Sequence, residues 1–231
     1  MIEDPPLLTI RREIPRAAPE VLERFCDVPT SWIVDALEGR GALDHTIRAM
    51  LQGPDIARHV VGSALPCLCS GNDNLALAAG LSLSAPGDMV MVANEGFRAA
   101  CVGGDLLMGI ARNRGVAGFV TDGLVRDVAA LEQVGLPVFA AGVTPNSCAR
   151  NGPGTVGLLV SVGGHPVASG DVVVADRDGV VVVPAGMVAA VLARLEHIRE
   201  LEATLERQVT DGLDGLPAMA EMLASDRVRW V

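Results

Sequence analysis

The sequence predicts an α/β fold of layered sheets flanked by helices, and three observations carry that reading. Between Asp27 and Pro137, apolar runs with helical period alternate with short apolar strands. Beyond Pro137 come Val-rich strands separated by Gly-rich turns. A long amphipathic helix follows them. No repeat or linker divides the pattern, so residues 29–231 read as one domain behind an N-terminal arm, 1–28.

The elements follow in order. Residues 1–18 are rich in Pro and Arg and lack a period. They read as an arm over the surface or over a neighbouring subunit. Thr30 is expected to cap a helix with Ile33, Val34 and Leu37 on its apolar face. His59 to Cys69 reads as a strand, with Cys67 and Cys69 on one face, as core rather than metal ligands. Asn72-Asp73 caps a helix through Leu83, and Pro86-Gly87-Asp88 stops it before the strand Met89–Val92. A helix over 104–114, a strand over 116–121 and a short helix near 127–134 come next. Strands are expected over 138–143, 156–162, 172–175 and 180–183, and around Val167. Their turns fall at Gly163-Gly164 and at Asp176-Arg177-Asp178-Gly179. That last tetrapeptide opens like a calcium loop but lacks the remainder, so it reads as a hairpin. The final helix runs over 186–209.

Composition excludes whole reaction classes. All 18 basic residues are arginine, so the chain contains no lysine, and it has no tyrosine. An imine-forming aldolase, a pyridoxal phosphate enzyme and a Walker-type nucleotide site each need a lysine. The 28 acidic residues bring the net charge to −10, which argues against nucleic-acid binding. An anionic substrate would need a local arginine. No apolar run approaches the ~18 residues of a membrane span. Met1 to Pro6 lacks a signal-peptide start, and five scattered cysteines do not form a disulfide framework. A cytoplasmic protein is expected, without a membrane or nucleic-acid partner.

The stretch Gly103 to Asp127 carries the chemistry. A helix from Asp105 to Arg114 spans ~15 Å, and a strand to Thr121 returns ~20 Å. That fold-back brings Asp105, the amides of Leu106 and Leu107, and the pair Arg126-Asp127 to one pocket at a strand's C-terminal end. Free helix-start amides and an arginine fork suit a carboxylate. Two aspartates suit Mg²⁺ or Mn²⁺ retaining waters. A 2-oxo acid fits both, since its carboxylate and keto oxygens chelate such an ion. Spacing alone also fits an Asp cap, a strand-end turn and a surface ion pair, and does not select an aldolase.

At these residues the sequence resembles the RraA-like family, the regulators of ribonuclease E activity and 4-hydroxy-4-methyl-2-oxoglutarate aldolases. Asp105, twenty intervening residues and Arg126-Asp127 reproduce its hallmark. The likeness extends through Gly71-Asn72-Asp73-Asn74-Leu75, Pro86-Gly87-Asp88, 136–145 and 170–184. It implies a layered α-β-β-α sandwich related to swivelling phosphohistidine-type domains, in homotrimers or hexamers with sites between subunits. It also implies Asp127 as metal ligand and Arg126 as holder of the pyruvyl carboxylate and enolate. Gly104 and the amides of Leu106 and Leu107 would bind the carboxylate, and Asp105 would orient metal-bound water. A neighbour's Glu202, with Glu196 and Glu206 as substitutes, would complete the site.

The expected activity is a magnesium- or manganese-dependent retro-aldol cleavage of a 4-hydroxy-2-oxo acid to pyruvate, with oxaloacetate decarboxylation beside it. A ribonuclease-regulating binding protein and another oxo-acid lyase or hydratase are the alternatives. Ala78 stands where many members carry histidine. Asn94-Glu95-Gly96-Phe97-Arg98 replaces a commoner Asp-x-Gly-Gly, which is expected to bring Glu95 and Arg98 near the pocket. None of His45, His59, His165 and His197 is placed for catalysis by this reasoning.

Overall fold

The longest strand, His59–Cys69, organises the computed structural model, which describes residues 6–50 and 59–231. The expectations for residues 1–5 lie outside the described residues. Before that strand come β1 (Leu8–Ile10), α1 (Pro19–Glu23), α2 (Thr30–Ala36) and β2 (Arg48–Ala49), which makes it β3. After it come α3 (Leu75–Leu83), β4 (Asp88–Ala93), β5 (Cys101–Gly103), α4 (Asp105–Asn113), β6 (Gly118–Thr121), β7 (Leu124–Val125), α5 (Val128–Val134) and β8 (Val138–Ala140). The later strands are β9 (Gly154–Val156), β10 (Val160–Val162), β11 (His165–Val167), β12 (Val172–Asp176) and β13 (Val180–Val183). A short 3₁₀ turn, Ala185–Met187, leads into α6 (Val188–Thr210), and α7 (Pro217–Leu223) follows.

Side-chain alternation on β3 places two cores on its two faces. Leu65, Cys67 and Cys69 join one cluster with Ala76, Leu77 and Leu81 of α3, Met108 and Ala111 of α4, and Leu131 of α5. Ala64 and Leu68 face the other, made with Met89, Met91, Val120, Phe139 and the valines of β10 to β13. The strands β3, β4, β6 and β8 pair in parallel in that order, and α3, α4 and α5 are the crossovers between them. All four strands therefore end on the same side.

The other half of β3 pairs antiparallel with β12, which forms a hairpin with β13. In that hairpin Val173, Ala175, Val180 and Val182 face the second core. Val172, Val174, Val181 and Val183 are equally buried, and α2 lies against both strands. Helices thus cover one face of the parallel sheet, while the valine hairpins and then α2 cover the other.

Some elements differ from expectation for physical reasons. Thr30 is the first helical residue rather than the cap, because its N–H and hydroxyl both donate to Asp176 at 2.9 and 2.8 Å. Asp176 also accepts the Asp178 N–H, so its carboxylate is committed to the turn and to α2. The expected strand over 156–162 is two strands. Gly157 turns the chain at φ 76°, and Val156 and Val160 enter different cores.

The arm is fastened to this chain's own surface. β1 adds in parallel to β9, and Arg16 grips Asp88 through two hydrogen bonds of 2.8 and 3.0 Å. Cys67 and Cys69 are wholly buried, and burial pushes the Cys69 thiol up to about 12 and that of Cys67 well above its usual range. Both are core thiols.

Packing divides the chain into two units, residues 1–192 and 193–231. The second holds most of α6 and all of α7, a helix the sequence reading did not anticipate although Pro217 marks its first turn. Among the described residues no helix is long and apolar enough to cross a membrane.

Candidate active site

Four loops leave the C-terminal ends of β3, β4, β6 and β8, and a cavity of about 430 Å³ takes residues from each. Asn74 comes from the first loop. Cys101, Gly103 and Gly104 come from the segment leading into α4, whose Asp105, Leu106, Leu107 and Ile110 also line the wall. Arg126 and Asp127 come from the third loop, and Ser147, Cys148 and Arg150 from the fourth. Open α/β sheets bind ligands at this end of their strands.

Of the residues singled out from sequence, Gly104, Asp105, Leu106, Leu107, Arg126 and Asp127 all meet in this cavity. Backbone bonding explains the convergence. β5 pairs with β7 in parallel, and the Arg126 N–H donates to the Gly103 carbonyl at 3.1 Å. The Arg126-Asp127 dipeptide is thereby pinned beside the entry to α4.

That entry is uncapped by any side chain. The Met108 N–H bonds back to the Gly104 carbonyl at 3.1 Å, which leaves the amides of Leu106 and Leu107 without an intrahelical acceptor. These amides and the positive end of the helix dipole favour an anion in the cavity.

Asp127 adopts left-handed backbone angles, φ 60° and ψ 41°, at the start of α5. Its carbonyl accepts the N–H groups of Ala130 and Leu131, both at 2.9 Å. The side chain takes no part in that cap. Its Oδ2 instead accepts from Arg126 Nε at 2.9 Å, and Arg126 Nη1 donates to Ser147 Oγ. The guanidinium is held on two sides while its charge still faces the cavity. Left-handed backbone in a residue with a Cβ costs on the order of 1 kcal/mol, and such strain gathers at functional sites.

The donor set fits a hard divalent cation. Asp105 and Asp127 supply carboxylates, and Gly104 leaves open the space that the Asp127 carboxylate occupies. Among the described residues no three His, Cys, Asp or Glu side chains gather into a metal cluster. A cation here would keep several waters or draw on another chain, which suits Mg²⁺ or Mn²⁺ rather than structural Zn²⁺. Cys101 and Cys148 do not alter this, because burial raises both thiols and keeps them protonated.

Glu196, Glu202 and Glu206 lie on α6 in the 193–231 unit. Glu95 and Arg98 are elsewhere, contrary to expectation. They border a different cavity of about 410 Å³ with Asp44, Asp122 and Gly163. The Phe97 N–H closes a turn onto the Asn94 carbonyl, and Arg98 Nη1 donates to the Asp122 carbonyl, which fixes its direction. None of the four histidines lines the cavity of Arg126 and Asp127. His59 is occupied by the Val28 carbonyl at 2.8 Å.

Sequence reasoning missed Asn74, Ser147 and Arg150. The signal was available only as topology, since the segment after each parallel strand faces the same end.

The cavity and its four loops lie within residues matched by a known family. The family described as RraA-like (Aldolase/RraA) matches residues 30–182. The chain belongs to the RraA-like family. The matched span runs from α2 into β13, so the RraA-like part carries every residue of the cavity.

A Halalkalibacterium halodurans protein named "Putative 4-hydroxy-4-methyl-2-oxoglutarate aldolase" is 31% identical over 204 residues, covering 88% of this chain and 95% of its own. A Streptomyces coelicolor structure, RraAS2, described as an unusual member of the RNase ES inhibitor RraA protein family, superposes with a TM-score of 0.71. It shares 27% identity, over 83% of this chain and all of its own. The RNA-processing inhibitor RraA of Thermus thermophilis gives 0.61 at 25% identity, over 68% and 93%. RraA-like proteins therefore include relatives named for catalysis and relatives named for inhibition.

Proposed function

We propose that this protein is a divalent-metal-dependent lyase that cleaves 4-hydroxy-4-methyl-2-oxoglutarate, or a related 4-hydroxy-2-oxo acid, to pyruvate. Oxaloacetate decarboxylation is its side activity. The observation that carries the reading is the meeting of Arg126, Asp127, Asp105 and the uncapped start of α4 in one cavity.

The chain's own groups divide the work as follows. The amides of Leu106 and Leu107 bind the substrate's C1 carboxylate at the helix start. Arg126, steadied by Asp127 and Ser147, donates to the C2 keto oxygen. When the C4 hydroxyl passes its proton to the water that Asp105 would orient, the C3–C4 bond breaks and its electron pair moves toward C2, the proton being returned at C3. Negative charge then develops on the keto oxygen, and the Arg126 guanidinium stabilises it. Protonation at C3 gives pyruvate, and the C4 side leaves as a second carbonyl compound.

Asp127 would hold the cation and Asp105 would orient its water. The cation supplies the electrophile that draws electrons onto the keto oxygen. With no lysine in the chain, a protein imine cannot take that part. Glu202 of a neighbouring copy, in a homotrimer or hexamer, would complete the acidic wall.

The test is pyruvate release from 4-hydroxy-4-methyl-2-oxoglutarate and from oxaloacetate, with Mg²⁺ and then with chelator. The reading expects loss on chelation and a fall of about 10²–10³ in kcat for Arg126→Ala. Turnover indifferent to both sinks it. A second reading is that this acidic protein docks on a ribonuclease, supported by the two inhibitor relatives and permitted by the net charge of −10. Inhibition of a ribonuclease without turnover of any 2-oxo acid would favour it.

A further inference from the structure

The cavity holds a second guanidinium that the pyruvyl half of a substrate does not need. Arg150 lines it from the loop after β8. Its Nε donates to Asn74 Oδ1 at 3.0 Å, and Asn74, itself buried, is fixed by donating to the Val102 carbonyl at 3.1 Å. The backbone beside it is tied down as well. The Ala149 N–H donates to the Asn72 carbonyl at 2.8 Å, and the Asn74 N–H to the Ala149 carbonyl at 3.1 Å.

What distinguishes Arg150 from Arg126 is the state of its charge. Arg126 faces the Asp127 carboxylate. Arg150 has a neutral amide for a partner, and among the described residues no carboxylate pairs with it. Its bond to Asn74 uses Nε alone, so both terminal nitrogens remain for a ligand. An anchored arginine with an uncompensated charge, on the wall of a cavity that already has one anion clamp, matches a ligand with two anionic groups. In a protein of net charge −10 a dianion meets an unfavourable field, and a second local cation offsets it.

We infer that Arg150 determines specificity by binding the distal carboxylate of a dicarboxylic 2-oxo acid, so that the site prefers diacids to acids with a neutral tail. The inference rests on the lyase reading for the pyruvyl end of the ligand. The anchoring and free charge of Arg150 do not.

The experiment uses the full chain with Mg²⁺ and compares wild type, Arg150→Gln and Arg150→Lys. Kinetics are measured on 4-hydroxy-4-methyl-2-oxoglutarate and on 4-hydroxy-2-oxopentanoate, which has the same head and a neutral tail. Calorimetry measures binding of 2-oxoglutarate and of 2-oxobutyrate. Arg150→Gln is expected to raise KM for the diacid by about tenfold or more, with kcat within about twofold and the neutral-tailed substrate unaffected. Binding of 2-oxoglutarate should weaken by a similar factor and that of 2-oxobutyrate should not, with Arg150→Lys recovering part of the loss. Equal weakening of both acids would make Arg150 structural and overturn the inference, as would no change in 2-oxoglutarate binding. A wild type that cleaves neither substrate but binds 2-oxoglutarate through Arg150 would sink the lyase reading alone.

Discussion

A Cβ placed on Gly104 would collide with Oδ2 of Asp127 and lie 3.0 Å from Cγ of Arg126. The backbone of Gly104 is extended, at φ −147° and ψ −163°, so any residue could adopt it. Only the close approach of Asp127 demands glycine. The obstructing atoms belong to side chains that can swing into solvent, so Gly104→Ala should displace the site rather than unfold the protein. We expect a loss of about 10²-fold in kcat/KM, with a thermal midpoint near that of wild type. Circular dichroism melts beside pyruvate-release kinetics would check it, and full activity would mean that the observed Asp127 position does not matter.

Asp127 carries both a charge and a left-handed backbone, and two substitutions separate them. Asparagine tolerates that conformation and keeps the shape. With Asp127 in its proposed role as metal ligand, Asp127→Asn should fold normally yet bind Mn²⁺ at least about tenfold more weakly by calorimetry, since the proposed site loses an anionic ligand. Asp127→Gly should lose the cation as well while gaining about 0.5–1 kcal/mol from relief of the backbone. Unchanged Mn²⁺ affinity in both would remove Asp127 from the metal site.

The sequence revealed those parts of the site whose geometry is local. Helix 104–114 folded back on the strand after it brings Asp105 to the end where Arg126 and Asp127 lie, and the Arg126 N–H bond to the Gly103 carbonyl completes the approach. The bounds of β3, His59 to Cys69, are those the sequence predicts. Arg150 and Ser147 were not legible. They reach the cavity because the Cys101 N–H donates to the Asn146 carbonyl at 2.9 Å and Ala149 exchanges bonds with the 72–74 segment. Those are long-range backbone pairings of an irregular loop, which no residue pattern within it announces. Arg98 failed for the converse reason: nearness in sequence to the β4 terminus does not choose between two cavities at that end.

The N-terminal arm should matter for stability through one buried pair. Asp88 is 1% exposed and Arg16 33% exposed, and Asp88 also accepts the Ala85 N–H at 2.8 Å. Arg16→Ala strands a buried carboxylate and should cost about 3 kcal/mol, the low end for such pairs because Arg16 is partly solvated. The surface pair Arg40–Glu38 is the control, and Arg40→Ala should cost less than about 1 kcal/mol. Urea unfolding of both variants at pH 7 makes the comparison. Equal effects would mean that Asp88 recovers solvation once the arm is released.

His165, half-buried on β11, provides a pH test. Its Nε2 is buried and, among the described residues, has no hydrogen-bond partner. Burial lowers the pKa of the ring below its ordinary value, with Asp171 opposing the shift. Above about pH 6.5, the value for an unfolded histidine, the ring is neutral in both states and nothing is lost. As the pH falls below that, the unfolded chain takes up the proton first, so stability declines until the pH reaches the lowered folded pKa. His165→Asn cannot titrate and should lack this component. Urea midpoints of both proteins from pH 8 to pH 5 should therefore show wild type losing ground to the variant as the solution is acidified. A difference between them that stays constant with pH would show that the ring reaches water in the folded state.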